Sequence, residues 1–249
     1  VNRLGASLWA SVKKKAKEDI VTFAKELLDA YAKREIADRP PYTPSPDMEQ
    51  SLAASFAHEE TPDQYSAVTD VLSDMETTRP LDRIILADVG FGKTEVAVRA
   101  AFRAVLNNKQ AALLCPTTIL ADQHFETFRK RFSEVPISIE RLSRLEPLAA
   151  QRRIVRSVRE GKTDIVIGTH RLLSRDVSFP RLWLLILDEE QRFGVKQKEH
   201  IRRLKENVDV LTLSATPIPR TLHFALSGLR PMSVITTPPK NRIAPKTFV

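Results

Sequence analysis

The sequence contains one cysteine among its 249 residues, so no disulfide can form within the chain. Because Cys115 lies in an apolar run, we expect it to be a buried core residue with a free thiol. A free thiol suits a reducing cytosol, which predicts a cytoplasmic protein. No apolar run reaches about 18 residues, which argues against a membrane span. The first residues lack the apolar core and cleavage site of a secretory signal. The five histidines have no metal-ligand spacing, and the sequence therefore predicts no zinc site.

Basic residues exceed acidic ones. The chain has 39 Lys and Arg against 31 Asp and Glu, which gives a formal net charge of +8. This excess favours a polyanionic partner such as nucleic acid, although basic composition alone is only suggestive. Hydrophobic residues make up 42% of the chain, enough to bury one core with an appendage.

A long amphipathic helix is predicted near the start of the chain. Apolar side chains recur there every three to four positions, which predicts a helix over residues 6–36. They are Trp9, Val12, Ala16, Ile20, Phe23, Leu27 and Tyr31. Lysines in its early turns fit either a nucleic-acid contact or a solvated face. The prolines between residues 40 and 46 predict a stiff connector, so residues 1–46 are expected to form a linker unit.

From residue 47 onward, short apolar runs alternate with helical periodicity. Strands are predicted at 83–87, 111–115, 137–142, 164–168, 183–188, 209–213 and 232–236. Helices are predicted at 62–76, 93–107, 119–132, 147–160, 195–206 and 218–227. This alternation predicts an α/β fold, a doubly wound and mostly parallel sheet with ligand loops at the carboxyl ends of its strands.

A glycine-containing loop follows the first predicted strand. It reads Ala87, Asp88, Val89, Gly90, Phe91, Gly92, Lys93 and Thr94. Such a loop turns backbone N–H groups toward phosphate, and the following helix N-terminus favours negative charge. Lys93 is expected to reach the β and γ phosphates, and the Thr94 hydroxyl to ligate Mg²⁺. Ala87 replaces the usual first glycine, which is compatible with the loop if φ is negative there.

An acidic quartet, Asp188-Glu-Glu-Gln191, follows another predicted strand. Asp188 at the strand end is expected to hold the same Mg²⁺, and Glu189 to orient the attacking water. Because the loop and the quartet occur in this order and each follows a strand, a chance match is improbable. The pair predicts nucleotide hydrolysis.

A candidate base-binding signal precedes the phosphate loop. Gln64 ends the run Thr61-Pro-Asp-Gln64, and Phe56 lies eight residues earlier. A glutamine amide can pair with a donor and an acceptor on adenine, and an aromatic ring can stack on the base. The same run is also typical of a helix N-cap and first turn.

Three further loops follow predicted strands and carry hydroxyl, backbone N–H and Arg groups suited to phosphate contacts. The candidate DNA-binding residues are Thr117, Thr118, Arg144, Gly168, Thr169 and His170. Ordinary loop and cap chemistry explains any one of them, whereas three successive strand ends favour nucleic acid. After the strand at 209–213, Ser214, Thr216 and Arg220 are candidates for coupling hydrolysis to the nucleic-acid face. A strand end followed by proline helix starters is the alternative.

Together these motifs resemble the superfamily 2 helicase-type motors. The runs 88–94, 192–195 and 215–221 narrow the resemblance to the bacterial transcription-repair coupling factors and the related fork-reversal helicases. Asp-Glu-Glu-Gln and the residues around 4–34 are nearer the coupling-factor family. The resemblance implies a RecA-like ATP-binding motor lobe over residues 47–237. It also implies that residues 238–249 cross toward a second lobe, so that this chain is a piece of a longer protein.

The resemblance further implies ATP and Mg²⁺ as cofactors, Gln191 as a sensor of the γ-phosphate, and translocation on double-stranded DNA. In that family the motor displaces stalled RNA polymerase and promotes nucleotide-excision repair, with polymerase and repair proteins bound by domains outside this chain. We expect this lobe alone to be inactive or very slow, because the second lobe brings an arginine finger. Two alternatives stay open: a fork-reversal helicase lobe, and a non-catalytic ATP-gated DNA-binding module.

Overall fold

The computed structural model describes residues 38–194, 197–198, 200–201, 208–215 and 230–240. The predicted helices over 6–36 and 218–227 lie outside these residues, as does most of the one at 195–206. Thr216 and Arg220 also lie outside them. Within the described residues, no helix is long and apolar enough to cross a membrane.

Helices and strands alternate along the described chain. The α-helices are α1 Pro46–Ala54, α2 Pro62–Met75, α3 Lys93–Leu106, α4 Thr118–Arg131 and α5 Leu148–Arg159. The strands are β1 Asp82–Ala87, β2 Gln110–Leu114, β3 Ile139–Leu142, β4 Ile165–Gly168, β5 Leu182–Asp188, β6 Asp209–Ser214 and β7 Met232–Ile235. Short 3₁₀ turns span His170–Leu173 and Glu190–Arg192.

The seven strands form one sheet in the order β3-β4-β2-β5-β6-β1-β7. Every neighbouring pair is parallel, so the expected mostly parallel sheet is wholly parallel over the described strands. Helices α3, α4 and α5 each connect two consecutive strands and return the chain to the starting edge, which a parallel arrangement requires. All seven carboxyl ends therefore lie along one edge.

Alternate strand residues bury opposite faces of the sheet. Leu113 and Ile186 join one apolar cluster with Phe102 of α3 and Phe128 of α4. Their neighbours along the same strands enter a second cluster with residues of α5, such as Val158. Helices thus cover both faces, as the continuous apolar strands predict.

Helix α1 was not predicted from the sequence. Only Leu52 of its nine residues is fully buried, so its apolar periodicity is weak. The helix is instead anchored by charge, because Arg103 of α3 donates to both carboxylate oxygens of Glu49. The preceding segment also lies against the sheet: Arg39 Nε donates to Asp209 Oδ1 at 2.8 Å, and the Tyr42 ring centroid lies 5.7 Å from that of Trp183.

Candidate nucleotide site and nucleic-acid edge

Three candidate loops meet where β5, β6 and β1 end side by side. In the strand register Asp188 lies opposite Leu213, and Leu86 lies opposite Ser214. The candidate phosphate loop (residues 87–94), the acidic quartet and the segment that begins at Ser214 are therefore neighbours, with β6 in the middle. A cleft of about 840 Å³ opens among them. Ser214 thus ends the strand that neighbours the one ending at Asp188.

The two glycines of the candidate phosphate loop have left-handed backbone conformations. Gly90 and Gly92 have φ angles of +82° and +86°, values at which residues with a Cβ are strained. Ala87 ends strand β1 without a positive φ, so the absence of the usual glycine costs nothing. Phe91 is buried in the core, whereas Asp88 and Val89 are exposed. Phe91 therefore anchors the loop, and the other side chains leave its backbone accessible.

Lys93 begins α3 and lines the cleft. Its Nζ donates to the carbonyl oxygens of Ala87 at 2.6 Å and Asp88 at 3.0 Å. Burial lowers the pKa of Lys93, while the nearby carboxylates of Asp188, Glu189 and Asp88 act in the opposite direction. The ammonium therefore sits among three acidic groups, and Thr94 lines the cleft beside it.

Asp188 is buried at the end of β5 and is held by a histidine. His124 of α4 contacts it, with Nε2 2.8 Å from Asp188 Oδ2. Both side chains are about nine-tenths buried. This contact fixes one carboxylate oxygen and gives the side chain a defined orientation in the cleft.

Glu189 adopts an unusual backbone conformation for a non-glycine residue, with φ 50° and ψ 49°. Such a left-handed conformation costs about 1–3 kcal/mol and persists where surrounding contacts enforce it. Glu189 Oε1 accepts a hydrogen bond from Ala215 N at 2.8 Å, and Oε2 accepts one from Gln191 Nε2. The carboxylate therefore links the acidic quartet to the segment after β6, while Gln191 itself is exposed.

The two residues predicted for the base occupy different places. Phe56 is half-buried and lines the cleft. Gln64 is buried behind the phosphate loop: its Nε2 donates to Phe91 O at 2.8 Å, and its Oε1 accepts from Thr61 N at 2.9 Å. Thr61 Oγ1 in turn caps α2, so the helix-cap interpretation of this run is correct. Each amide atom of Gln64 retains capacity for one more hydrogen bond.

Sequence reasoning missed one wall of the cleft. Helix α4 presents a polar stripe at helical spacing, formed by Gln123, His124, Thr127, Lys130 and Arg131. Polar residues at such intervals on a helix that follows a strand were a signal that could have revealed this wall. The partners of His124 and Arg131 lie 64 and 36 positions away in sequence, so the pattern of the helix does not predict these pairs.

The other half of the sheet carries the candidate nucleic-acid residues. Strands β3, β4 and β2 are neighbours, so their loops lie along the same edge as the cleft. Thr117 is exposed and caps α4, since its Oγ1 accepts a hydrogen bond from Leu120 N at 3.3 Å. Thr118 is half-buried as the first residue of α4. Thr117 therefore acts as a helix cap and also lies exposed at the loop tip, so both interpretations of this residue stay open.

Arg144 is exposed on a loop with its own internal support. Glu146 Oε2 accepts hydrogen bonds from the backbone N and Oγ of Ser143 at 2.7 and 2.6 Å, which presents the next residue outward. Burial and the nearby charge of Arg144 lower the pKa of His170. The structure therefore brings Arg144 and His170, candidates from two different loops, close to each other.

Gly168 and Thr169 lie deeper than a surface contact would require. A Cβ at Gly168 would meet the carbonyl oxygen of Leu142 at 2.1 Å, so the close approach of β4 to β3 requires glycine. Thr169 is 2% exposed, and among the described residues its Oγ1 has no hydrogen-bond partner. Ser214 is likewise buried at the end of β6.

Comparison with known proteins agrees with this arrangement. Residues 61–224 match the model of the DEAD/DEAH box helicase family. The chain is 50% identical over 247 residues to the transcription-repair-coupling factor of Bacillus subtilis and 51% identical over 249 residues to that of Escherichia coli. These matches cover 99% and 100% of this chain but only 21% and 22% of the relatives. The chain thus spans about a fifth of the length of these relatives.

Solved structures give the same result for the fold. RecG bound to a three-way DNA junction superposes with a TM-score of 0.74 at 31% identity, covering 88% of this chain and 30% of RecG. The helicase MrfA bound to DNA superposes with a TM-score of 0.58 at 20% identity, covering 80% of this chain and 31% of that one, which supports the fold alone. The parallel sheet, the meeting of the loops at its edge and the family match lead to one conclusion: the chain belongs to the DEAD/DEAH box helicase family.

Proposed function

We propose that this chain is an ATP-hydrolysing motor lobe acting on double-stranded DNA. The observation that carries the proposal is the meeting of Lys93, Asp188 and Glu189 at one cleft, at the ends of three adjacent parallel strands. Ligands in parallel α/β sheets bind at the carboxyl ends of the strands. An ammonium, two carboxylates and a helix N-terminus there suit a phosphate chain with its metal ion.

The residues present fit ATP and Mg²⁺. Magnesium usually takes one or two carboxylates and completes its shell with phosphates and water, so Asp188 and Thr94 are a sufficient protein contribution. The bound ion would neutralise charge on the phosphates. Lys93 Nζ would exchange its two carbonyl partners for the β and γ phosphates. Glu189 would orient the attacking water, and Gln191 beside it would respond to the γ-phosphate.

The proposed DNA contacts lie on the other half of the same edge. Arg144, His170 and the backbone at Thr117 would grip phosphates rather than bases, which gives affinity with little sequence preference. The excess of basic residues supports this partner. Glu189 accepts from Ala215 N, and this contact offers a route from the hydrolysis site to the segment that carries Thr216 and Arg220.

We further propose that the whole protein works as a transcription-repair coupling factor. Half-identity over the entire chain to relatives with that name supports this. ATP-driven translocation would then displace stalled RNA polymerase and promote nucleotide-excision repair, with polymerase and repair proteins bound by other domains. The work would take place in the cytoplasm, where these partners are found.

A measurement of ATP hydrolysis with and without DNA distinguishes a motor from a non-catalytic ATP-gated DNA-binding module. We would use a longer polypeptide in which this chain is followed by a second motor lobe. We expect double-stranded DNA to accelerate its ATP hydrolysis. Glu189→Gln should remove turnover and spare ATP binding, because the amide keeps the shape but cannot activate water. No ATP turnover with or without DNA, together with DNA binding that still depends on ATP, would favour the non-catalytic ATP-gated binding module.

The similarity to RecG favours branched-DNA remodelling as a second candidate function. The same polypeptide distinguishes the two by its choice of DNA. A coupling-factor motor should hydrolyse ATP comparably on linear and three-way duplexes of equal length. ATP turnover that required the junction would support fork reversal instead.

A further inference from the structure

A buried charged network joins the phosphate loop to the cleft wall at residues 55–58. Glu95 follows Thr94 directly and is 6% exposed. Its carboxylate holds two arginines, Arg99 through Nε at 2.6 Å and Arg131 through Nε and Nη2 at 2.9 and 2.8 Å. Arg131 lies at the last position of α4, so this contact ties α4 to the start of α3.

The same guanidinium extends to the segment that carries Phe56. Arg131 Nη2 donates to the carbonyl of Leu52 at 2.8 Å, and Nη1 donates to Ser55 Oγ at 2.8 Å. Its Cζ lies 5.2 Å from the centroid of the Phe56 ring. One side chain therefore contacts the end of α1, the hydroxyl after it and the aromatic ring that lines the cleft.

This segment needs an external support. Residues 55–58 have no regular secondary structure, and Phe56 is only half-buried, so packing alone leaves the ring loosely held. A planar guanidinium with five donors can reach both oxygens of one carboxylate, a helix-end carbonyl and a loop hydroxyl at once, whereas a lysine ammonium has only three donors. Arg99 adds a second tie, because its Nη2 donates to Glu60 Oε1 at 2.6 Å.

We propose that Arg131, held by Glu95, is a positioning residue that fixes Phe56 as the base-stacking wall of the nucleotide site. The proposal rests on the proposed ATP-binding function and assigns the base-dependent part of the affinity to this network. Lys93 and the loop backbone supply the phosphate-dependent part. Loss of Arg131 should therefore reduce binding of a nucleotide but not of its phosphate chain alone.

Calorimetry on the 249-residue chain with Mg²⁺ tests this with two ligands, ADP and pyrophosphate. In Arg131→Gln we expect ADP affinity to fall about tenfold and pyrophosphate affinity to change less than twofold. Arg131→Lys should give an intermediate loss of ADP affinity, since lysine keeps the positive charge near Glu95 but cannot bind both carboxylate oxygens with parallel N–H groups. Arg129→Gln is the matched control: this exposed arginine of the same helix pairs with Glu126, and we expect both affinities to be unchanged.

Ser55→Ala tests the same contact independently, in case the arginine variants fold poorly. It removes one oxygen partner of Arg131 without leaving a buried charge, and it should lower ADP affinity about two- to threefold while sparing pyrophosphate. Parallel losses for both ligands, or no loss for ADP, in Arg131→Gln and Ser55→Ala would overturn the positioning role. Failure of wild type to bind either ligand would instead contradict the proposed nucleotide site.

Discussion

At the scale of single residues, the two glycines of the candidate phosphate loop differ in their surroundings. A Cβ at Gly92 would lie 2.2 Å from Gln64 Nε2, whereas one at Gly90 would have no atom within 4 Å. Both positions have positive φ, so either alanine costs about 1–2 kcal/mol of backbone strain. Gly92→Ala must also displace the amide that donates to Phe91 O, which adds about 0.5–1.5 kcal/mol.

We therefore expect Gly92→Ala to lower the free energy of unfolding by about 1 kcal/mol more than Gly90→Ala does. Urea denaturation of the two variants beside wild type measures the difference. Gly90→Ala is the matched control, since it carries the strain without the clash. Equal losses of unfolding free energy in the two variants would show that the Gln64 side chain moves aside at no energetic cost.

At this scale the sequence predicted the residues with strong local patterns and missed those defined by distant partners. The glycine spacing predicted a turn between β1 and α3, and the apolar run before Asp188 predicted its place at a strand end; both positions agree with the structure. His124 and Arg131 were not predicted, because their partners Asp188 and Glu95 lie 64 and 36 positions away. Gln64 illustrates an ambiguity: one side chain caps α2 and also braces the phosphate loop, and a sequence pattern cannot separate the two roles.

At the scale of elements, Asp63 ties the end of β7 to the start of α2. Its Oδ2 accepts hydrogen bonds from Thr236 N, Thr236 Oγ1 and Thr237 N, each at 2.8 Å. These bonds lower the pKa of Asp63 from its ordinary 3.8 to about 2. Because the folded pKa is lowered, the stabilisation is complete above about pH 4 and is lost as the pH falls through about 2.

Amide hydrogen exchange at Thr236 and Thr237 tests this tie. We expect protection to be constant from neutral pH to about pH 4, to fall as Asp63 becomes protonated, and to be reduced at every pH in Asp63→Ala. Glu59→Gln is the control, since it removes only the exposed ion pair with Lys240 and should leave both amides protected. Full protection in Asp63→Ala would contradict the tie.

Elements with continuous apolar character were predicted to within a few residues. Strand β5, for example, was predicted at 183–188 and spans Leu182–Asp188. Helix α1 was missed because its anchor is the Glu49–Arg103 pair, 54 positions apart, rather than an apolar face. Strand β3 begins two residues later than predicted, since Ile137 lies outside the ladder with β4.

At the scale of the whole molecule, the two proposed sites lie at different halves of the same sheet edge. Strands β5, β6 and β1 end at the nucleotide cleft, and β3, β4 and β2 end at the candidate DNA loops. Motif order along the chain does not reveal this, because β2 and β4 lie between β3 and β5 in space. The sequence predicted which loops share an edge, but their grouping into two halves needed the strand order.

The proposed nucleotide site is tested most directly by titration calorimetry of Mg·ATP with this chain and with Lys93→Ala. Removing the ammonium deletes a charge-assisted contact to phosphate, which contributes about 1.5–3 kcal/mol. We expect the variant to keep its fold and to bind Mg·ATP about ten- to a hundredfold more weakly than wild type. Equal affinities in the two proteins would contradict the assignment of the loop at 87–94 as the phosphate site, and the motor-lobe proposal with it.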